Sequence, residues 1–129
     1  MIGLDTNILV RFLTKDDEVQ FKAVSELFNS GNSDFLISFP VLVELVWVLE
    51  KHYGYSKKTL LFILKELGDT KNIHFPDQNV FVKAIYNFEN SSADFSDCLI
   101  GVLNKKIAVN TTFTFDKQAS KLAQFTLLK

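Results

Sequence analysis

The sequence predicts an α/β fold, a three-layer α/β/α sandwich around a parallel sheet of four to five strands. Three observations support this. Short apolar segments alternate along the chain with longer segments whose apolar residues recur at helical spacing. Such alternation is typical of β-α-β units, in which the strands are parallel and helices cover both faces. The chain has 129 residues, 47% hydrophobic and 22% charged, which predicts one domain, residues 1–129, with its own core.

The strand candidates are short and each is bounded by polar or turn-forming residues. Residues 1–4 are apolar and run directly into Asp5, so we expect a buried first strand that ends there. The later candidates are residues 34–38, residues 72–75, a segment within 106–115, and an edge strand at 125–128.

Helices are predicted between these strands. A short helix over residues 7–13 follows the first strand, and Asp16 and Asp17 cap the second. Pro40 stands in the first turn of a strongly apolar helix that runs to about Tyr53 and ends at Gly54. The remaining helices begin at Ser56, at Asp77, at Asp94 and at Asp116, the last running to residue 123.

Four acidic residues stand in apolar surroundings, where desolvating a carboxylate is costly. Asp5 and Asp116 each end a predicted strand. Glu44 is the one polar side chain of residues 39–49, and Asp97 directly precedes an apolar helical stretch. Sites in parallel sheets form beyond the carboxyl ends of the strands, so we expect the four acids to converge on one cleft.

Clustered carboxylates suit a hard cation such as Mg²⁺ or Mn²⁺, which takes oxygen ligands. With the metal, such a cluster can activate water and stabilise the transition state of phosphodiester hydrolysis. Without it, the carboxylates repel one another and at least one pKa should rise.

Each acid also has a simpler interpretation. Asp5 and Asp116 would equally serve as helix N-caps. Glu44 would otherwise be a solvated or partnered side chain of its helix. Asp94 and Asp97 have the spacing of a capping box, and we interpret Asp94 as the cap.

The residues after Asp5 are also open to two interpretations. Thr6 and Asn7 would bond the backbone of the first helical turn. Alternatively, the Asn7 side chain would hold Asp5 in place.

Four segments of the chain resemble, in order, the conserved blocks of the PIN-domain nucleases, and most of all the VapC-type toxins of prokaryotic toxin–antitoxin pairs. They are "GLDTNILVRFLTKDD", "ISFPVLVELVWVL", "ADFSDCLIGVLNK" and "TFTFDKQASKL". The likeness extends from residue 2 to about residue 123. It implies a metal-dependent ribonuclease on a five-stranded parallel sheet flanked by helices.

The resemblance also assigns roles to individual residues. The family's four acids, which are catalytic and hold Mg²⁺ or Mn²⁺, match Asp5, Glu44, Asp97 and Asp116. Thr6 and Asn7 match the family's DTN, in which the asparagine helps to position the acids. Thr114 matches a hydroxyl beside the last acid.

The resemblance further implies partners. The substrate would be RNA, and a small antitoxin encoded beside the gene would block the acidic cleft or insert into a groove of the middle helices, residues 55–90. A homodimer is also expected.

Charge and composition limit the partners and the location. The net charge is −1, so a polyanion would have to be bound by a local patch. Arg11 would contact RNA phosphate or receive the antitoxin, or else form an ion pair with a surface acid. Six lysines would form a local phosphate-binding rim, or else solvated helix faces; they are residues 57, 58, 105, 106, 117 and 121. One cysteine, no signal peptide and no membrane span predict a soluble, cytoplasmic protein without membrane contact.

Two other classes of protein fit the chain less well. A phosphoacceptor receiver domain needs an acidic pair after the first strand, whereas Asp5 stands there without a second acid. A non-catalytic RNA- or protein-binding module on the same fold is opposed only by the complete set of four acids.

Overall fold

A computed structural model describes residues 1–129, which form two compact units, residues 1–76 and residues 77–129. The first unit contains three strands and four helices. In chain order these are β1 Ile2–Gly3, α1 Thr6–Thr14, α2 Glu18–Asn29, β2 Phe35–Leu36, α3 Phe39–Lys51, α4 Lys57–Asp69 and β3 Ile73–His74. The second unit contains α5 Gln78–Glu89, α6 Phe95–Lys106, β4 Thr112–Thr114, a 3₁₀ turn at Ala119–Lys121, and β5 Phe125–Leu127.

All strand pairs are parallel, as expected for β-α-β connections. In the first unit β2 lies between β1 and β3, with Phe35 opposite both Ile2 and Ile73. In the second unit β4 pairs with β5, with Thr112 opposite Phe125. The α/β class is therefore confirmed, while the ladder hydrogen bonds form a three-stranded and a two-stranded sheet.

Local capping residues explain where several helices begin. The Asp17 carboxylate accepts a hydrogen bond from the Gln20 N–H at 2.9 Å, and the Ser56 hydroxyl accepts one from the Thr59 N–H at 3.2 Å. These contacts satisfy first-turn N–H groups that have no partner within the helix. The predicted helix starts at Asp17 and Ser56 are thus confirmed.

The core of the first unit is built from the inner faces of its helices together with β2. Phe35 and Ile37 are buried at and after β2, and the helices contribute leucines at helical spacing. The buried leucines of these helices are Leu9, Leu42, Leu45, Leu49, Leu60, Leu64 and Leu67.

The prediction that the first strand is buried is wrong for β1 itself. Ile2 is 40% exposed and Gly3 is also exposed, whereas Leu4, just after the strand, is buried. Within its sheet β1 pairs only with β2, so this two-residue edge strand is covered by a neighbouring strand on one side only.

In the second unit, α5 and α6 pack through aromatic and small residues. The rings of Phe88 and Phe95 meet edge to face with their centroids 5.5 Å apart. Gly101 lets β5 approach α6, because a Cβ atom at this position would come within 2.7 Å of the Phe125 ring. The helix predicted over residues 116–123 is reduced to a 3₁₀ turn, since Leu122 is already extended on the way into β5.

None of the helices combines the length and the apolar character that crossing a membrane requires.

Candidate functional site

Three carboxylates of the second unit lie close together. Asp94 precedes α6, Asp97 lies in the first turn of α6, and Asp116 follows β4. One carboxylate oxygen from each residue lies within 4.8 Å of the corresponding oxygens of the other two. We call these three residues the acidic cluster.

Asp116 is fixed from both sides by local hydrogen bonds. Its backbone N–H donates to the Thr114 hydroxyl at 3.0 Å, and its own Oδ1 accepts from the Ala119 N–H at 2.9 Å. The second bond joins Asp116 to the first residue of the 3₁₀ turn, although the N-cap residue of that turn is Gln118 and not, as predicted, Asp116.

The interpretation of Asp94 as a capping side chain is wrong. Asp94 has the extended backbone of an N-cap residue, with φ −64° and ψ 152°, but its carboxylate accepts no hydrogen bond from the first turn of α6. The carboxylate instead lies near those of Asp97 and Asp116. A cap is recognised in a sequence from local spacing alone, and here the tertiary cluster determines where the side chain lies.

The environment of Asp97 raises the pKa of its carboxyl above the usual value of 3.8. Desolvation by burial is the largest cause, followed by the negative charges of Asp116 and Asp94. Both effects disfavour the ionised form. A positive ion among the three oxygens would reverse the second effect.

The donor set of the acidic cluster fits a hard divalent cation. Mg²⁺ binds oxygen ligands at about 2.0–2.1 Å, so oxygens on opposite sides of the ion lie about 4.2 Å apart. One oxygen from each of the three carboxylates lies within 4.8 Å of the others, a spread compatible with ligands of a single ion. The mutual repulsion of the three carboxylates, which contributes to the raised pKa of Asp97, is the physical reason for such an ion to bind there.

Asp5 lies after β1 and serves as the N-cap of α1. Its Oδ1 accepts a hydrogen bond from the Thr6 N–H at 2.8 Å, and the side chain is exposed. The capping role proposed for Asp5 is therefore present, and a carboxylate that accepts one such bond keeps further lone pairs for a ligand.

The two residues that follow Asp5 differ sharply in environment. Thr6 is buried, 3% exposed, and its Oγ1 has no hydrogen-bond partner. Asn7 is exposed, and its side chain makes no hydrogen bond to Asp5. A buried hydroxyl without a partner is uncommon, which makes Thr6 the more unusual member of the pair.

Glu44 lies on the exposed side of α3. Its helix buries Leu42, Leu45 and Leu49, while Glu44 and Trp47 face outward and Trp47 is 53% exposed. The apolar neighbours of Glu44 in the sequence are thus largely on other faces of the helix.

The four predicted metal ligands are divided between the two units. Asp97 and Asp116 belong to the second unit, which brings them together with Asp94. Asp5 and Glu44 belong to the first unit. The convergence of all four on one ion stays a prediction.

Arg11 is engaged in a surface network of the first unit, the simpler of its two predicted roles. Its guanidinium contacts the Asp16 carboxylate at 3.2 Å and the Gln20 side chain at 2.6 Å. The Tyr53 hydroxyl donates to the other oxygen of Asp16 at 2.5 Å. This hydrogen bond is the main cause that lowers the pKa of Asp16, with Thr14 and Arg11 adding to it.

Only some of the residues that line two cavities were identified from the sequence. An apolar groove of about 380 Å³ lies in the first unit among α1, α2, α4 and the sheet; its lining includes Leu9, Phe12, Phe28, Phe35, Phe62 and Leu67. A second cavity, in the second unit, is lined by Lys83, Lys105 and Lys106. Lys83 was not predicted from the sequence, because the other two lysines of the cavity come from another helix, α6.

The fold and the acidic cluster together define an α/β domain with a carboxylate site suited to a divalent cation. The family model of the PIN domain matches residues 2–124, nearly the whole chain, and the chain belongs to the PIN domain family. PIN domains are generally nucleases, so this membership indicates a nuclease-type hydrolase. A comparison with curated proteins gives no match.

Proposed function

We propose that this protein is a Mg²⁺- or Mn²⁺-dependent endoribonuclease of the VapC type, a toxin that cleaves cellular RNA in the cytoplasm and is neutralised by an antitoxin. The observation that carries the proposal is the acidic cluster, three carboxylates within 4.8 Å of one another in a chain of the PIN domain family. The likeness of its four sequence blocks to the VapC toxins supports the subtype.

The residues of the cluster have distinct parts in this proposal. Asp97 and Asp116 would hold the metal, together with Asp5 and Glu44 as the family pattern implies. The bound ion would supply positive charge that stabilises the phosphodiester transition state and lowers the pKa of water. Asp94, whose carboxylate makes no capping bond, would orient the attacking water by accepting a hydrogen bond from it. The Thr114 hydroxyl would keep Asp116 in place by accepting a hydrogen bond from the Asp116 backbone N–H.

The apolar groove supports the proposed antitoxin. Its lining is largely aromatic and aliphatic, and Phe62 at its edge is 64% exposed. An amphipathic segment of a small partner would bury this surface. We also keep the homodimer as a prediction; exposed Val82 and Tyr86, on successive turns of α5, offer apolar surface for such a contact.

The test is cleavage of structured cellular RNA such as tRNA by the wild type and by Asp97→Asn, with Mg²⁺ or Mn²⁺ and with EDTA. We expect cleavage by the wild type only, and only with metal. Asp69→Asn is the matched control, because this replacement removes the same charge from an exposed acid of the first unit. Thermal unfolding verifies that each variant is folded.

Full metal-dependent cleavage by Asp97→Asn would contradict the assignment of the site. If no RNA is cut by any variant, calorimetric titration with Mn²⁺ decides. Binding that Asp97→Asn weakens would retain the metal site, and no binding would favour the non-catalytic module.

A further inference from the structure

The second unit contains a cavity whose charged lining is mainly positive. It measures about 310 Å³ and lies among the start of α5, the end of α6 and the approach to β5. Its lining consists of Asn79, Val80, Lys83, Val102, Lys105, Lys106 and Gln124. We call it the lysine pocket.

The ion pairs around this pocket leave a net positive charge. Lys106 is paired with Asp77, the N-cap residue of α5. Lys83 and Lys105 are exposed and make no ion pair. Three ammonium groups against one carboxylate give the lysine pocket a charge of about +2 in a chain whose net charge is −1. The pocket is therefore a local cationic feature and does not reflect a basic surface overall.

The other polar groups of the pocket suit a phosphate. The side-chain amides of Asn79 and Gln124 supply N–H donors beside the ammonium groups, and a phosphate offers several acceptor oxygens at once. Lysine binds phosphate as a compact point charge. The volume of the pocket lies at the low end of the range for small ligands, about 300–1,000 Å³.

Helix α6 fixes the distance between the lysine pocket and the acidic cluster. Lys105 follows Asp97 by eight residues, as their numbers show. At a rise of 1.5 Å and 3.6 residues per turn, this is about 12 Å along the axis and about 2.2 turns. The two residues thus lie within about a quarter turn of each other around α6.

We infer that the lysine pocket binds a backbone phosphate of the RNA whose scissile bond lies at the acidic cluster. Three carboxylates repel a polyanion, and a cationic site about 12 Å away on the same helix offsets that repulsion and fixes the strand. The inference rests on the proposed nuclease function and adds a substrate-binding site to it.

The test measures RNA binding without cleavage. Anisotropy of a labelled oligouridine is recorded in EDTA between about 50 and 200 mM salt, where each phosphate contact on a single strand adds about 0.7 to the slope of log affinity against log salt. Lys83→Gln/Lys105→Gln should reduce that slope by about 0.7 to 1.4. Lys83→Arg/Lys105→Arg should retain it. Lys106 is left unchanged because of its ion pair with Asp77.

The matched control is Lys22→Gln/Lys71→Gln, which removes the same charge from exposed positions of the first unit. An equal loss of slope in this control would overturn the inference, since net charge alone would then explain the effect. A second result would also overturn the inference: the wild type binds hexaglutamate, and Lys83→Gln/Lys105→Gln abolishes that binding while RNA binding stays unchanged. The pocket would then serve an acidic peptide. A wild type that binds RNA through the pocket but neither cuts RNA nor binds Mn²⁺ would overturn the nuclease and leave the phosphate site standing.

Discussion

The hydroxyl of Thr114 accepts a hydrogen bond from the backbone N–H of Asp116 at 3.0 Å. Thr114 ends β4, and Asp116 carries the carboxylate that completes the acidic cluster. The bond therefore links the last residue of a strand to the position of a candidate metal ligand. Sequence likeness to the PIN nucleases pointed to this hydroxyl, and the structure supplies its physical role.

Replacing Thr114 with valine should loosen Asp116 without removing it. Loss of one hydrogen bond predicts a decrease of about 0.5–1.5 kcal/mol in the free energy of unfolding. We expect weaker Mn²⁺ binding in calorimetry and a lower kcat, with cleavage reduced but not abolished. Thr114→Ser keeps the hydroxyl and should behave like the wild type. If Thr114→Val kept the wild-type Mn²⁺ affinity and Thr114→Ser lost it, the methyl group, and not the hydroxyl, would matter at this position.

Asp94 should contribute to metal binding through its nearby negative charge, and little to helix stability. Loss of a capping side chain costs about 1 kcal/mol, but Asp94 makes no capping bond. Asp94→Ala should therefore unfold at nearly the same urea concentration as the wild type, while its affinity for Mn²⁺ falls. Asp17→Ala is the matched control, because Asp17 does cap α2. It should lose about 1 kcal/mol and keep its Mn²⁺ affinity.

Asp97 should destabilise the metal-free protein at neutral pH. Its pKa is raised in the folded protein, so folding favours the protonated form. This preference stabilises the folded protein fully when the pH is below the pKa of Asp97 in the unfolded chain, near 3.8. The stabilisation is lost as the pH rises through the pKa of Asp97 in the folded protein.

Asp97→Asn should therefore raise the melting temperature in EDTA at pH 7 and have no such effect at a pH well below 3.8. The gain should be at most about 1 kcal/mol, because solvent screens a partly exposed group. Saturating Mn²⁺ should reverse the order, since only the wild type gains the full binding energy. A stabilisation that persists unchanged at low pH would contradict the electrostatic explanation.

Thr6 should be replaceable by valine with a gain in stability. Its buried Oγ1 has no partner, and an unsatisfied buried hydroxyl costs about 1–3 kcal/mol. Valine has nearly the same shape, so we expect Thr6→Val to unfold at higher urea concentration. Thr14→Val is the contrasting variant, because the Thr14 hydroxyl bonds the Val10 carbonyl at 2.7 Å and Asp16 at 3.0 Å. It should be less stable than the wild type.

Much of the secondary structure could be predicted because its causes are local. Ser56 and Asp17 fix helix starts through bonds to residues three positions away, and the apolar periodicity of α4 appears directly as buried Leu60, Leu64 and Leu67. The strands are shorter than predicted, since hydrogen bonds to a neighbouring strand decide which extended residues belong to a sheet. The exposure of β1 has the same origin.

The sequence by itself determined the α/β class, the order of the elements and the position of each acid at the end of a strand or within a helix. Only the tertiary structure decided that Asp94 joins Asp97 and Asp116, and that Lys83 of α5 shares a cavity with Lys105 of α6. Helix caps and apolar periodicity act over a few neighbouring residues. Contacts between carboxylates, or between ammonium groups, on different elements depend on how those elements pack, and no spacing in the sequence records that.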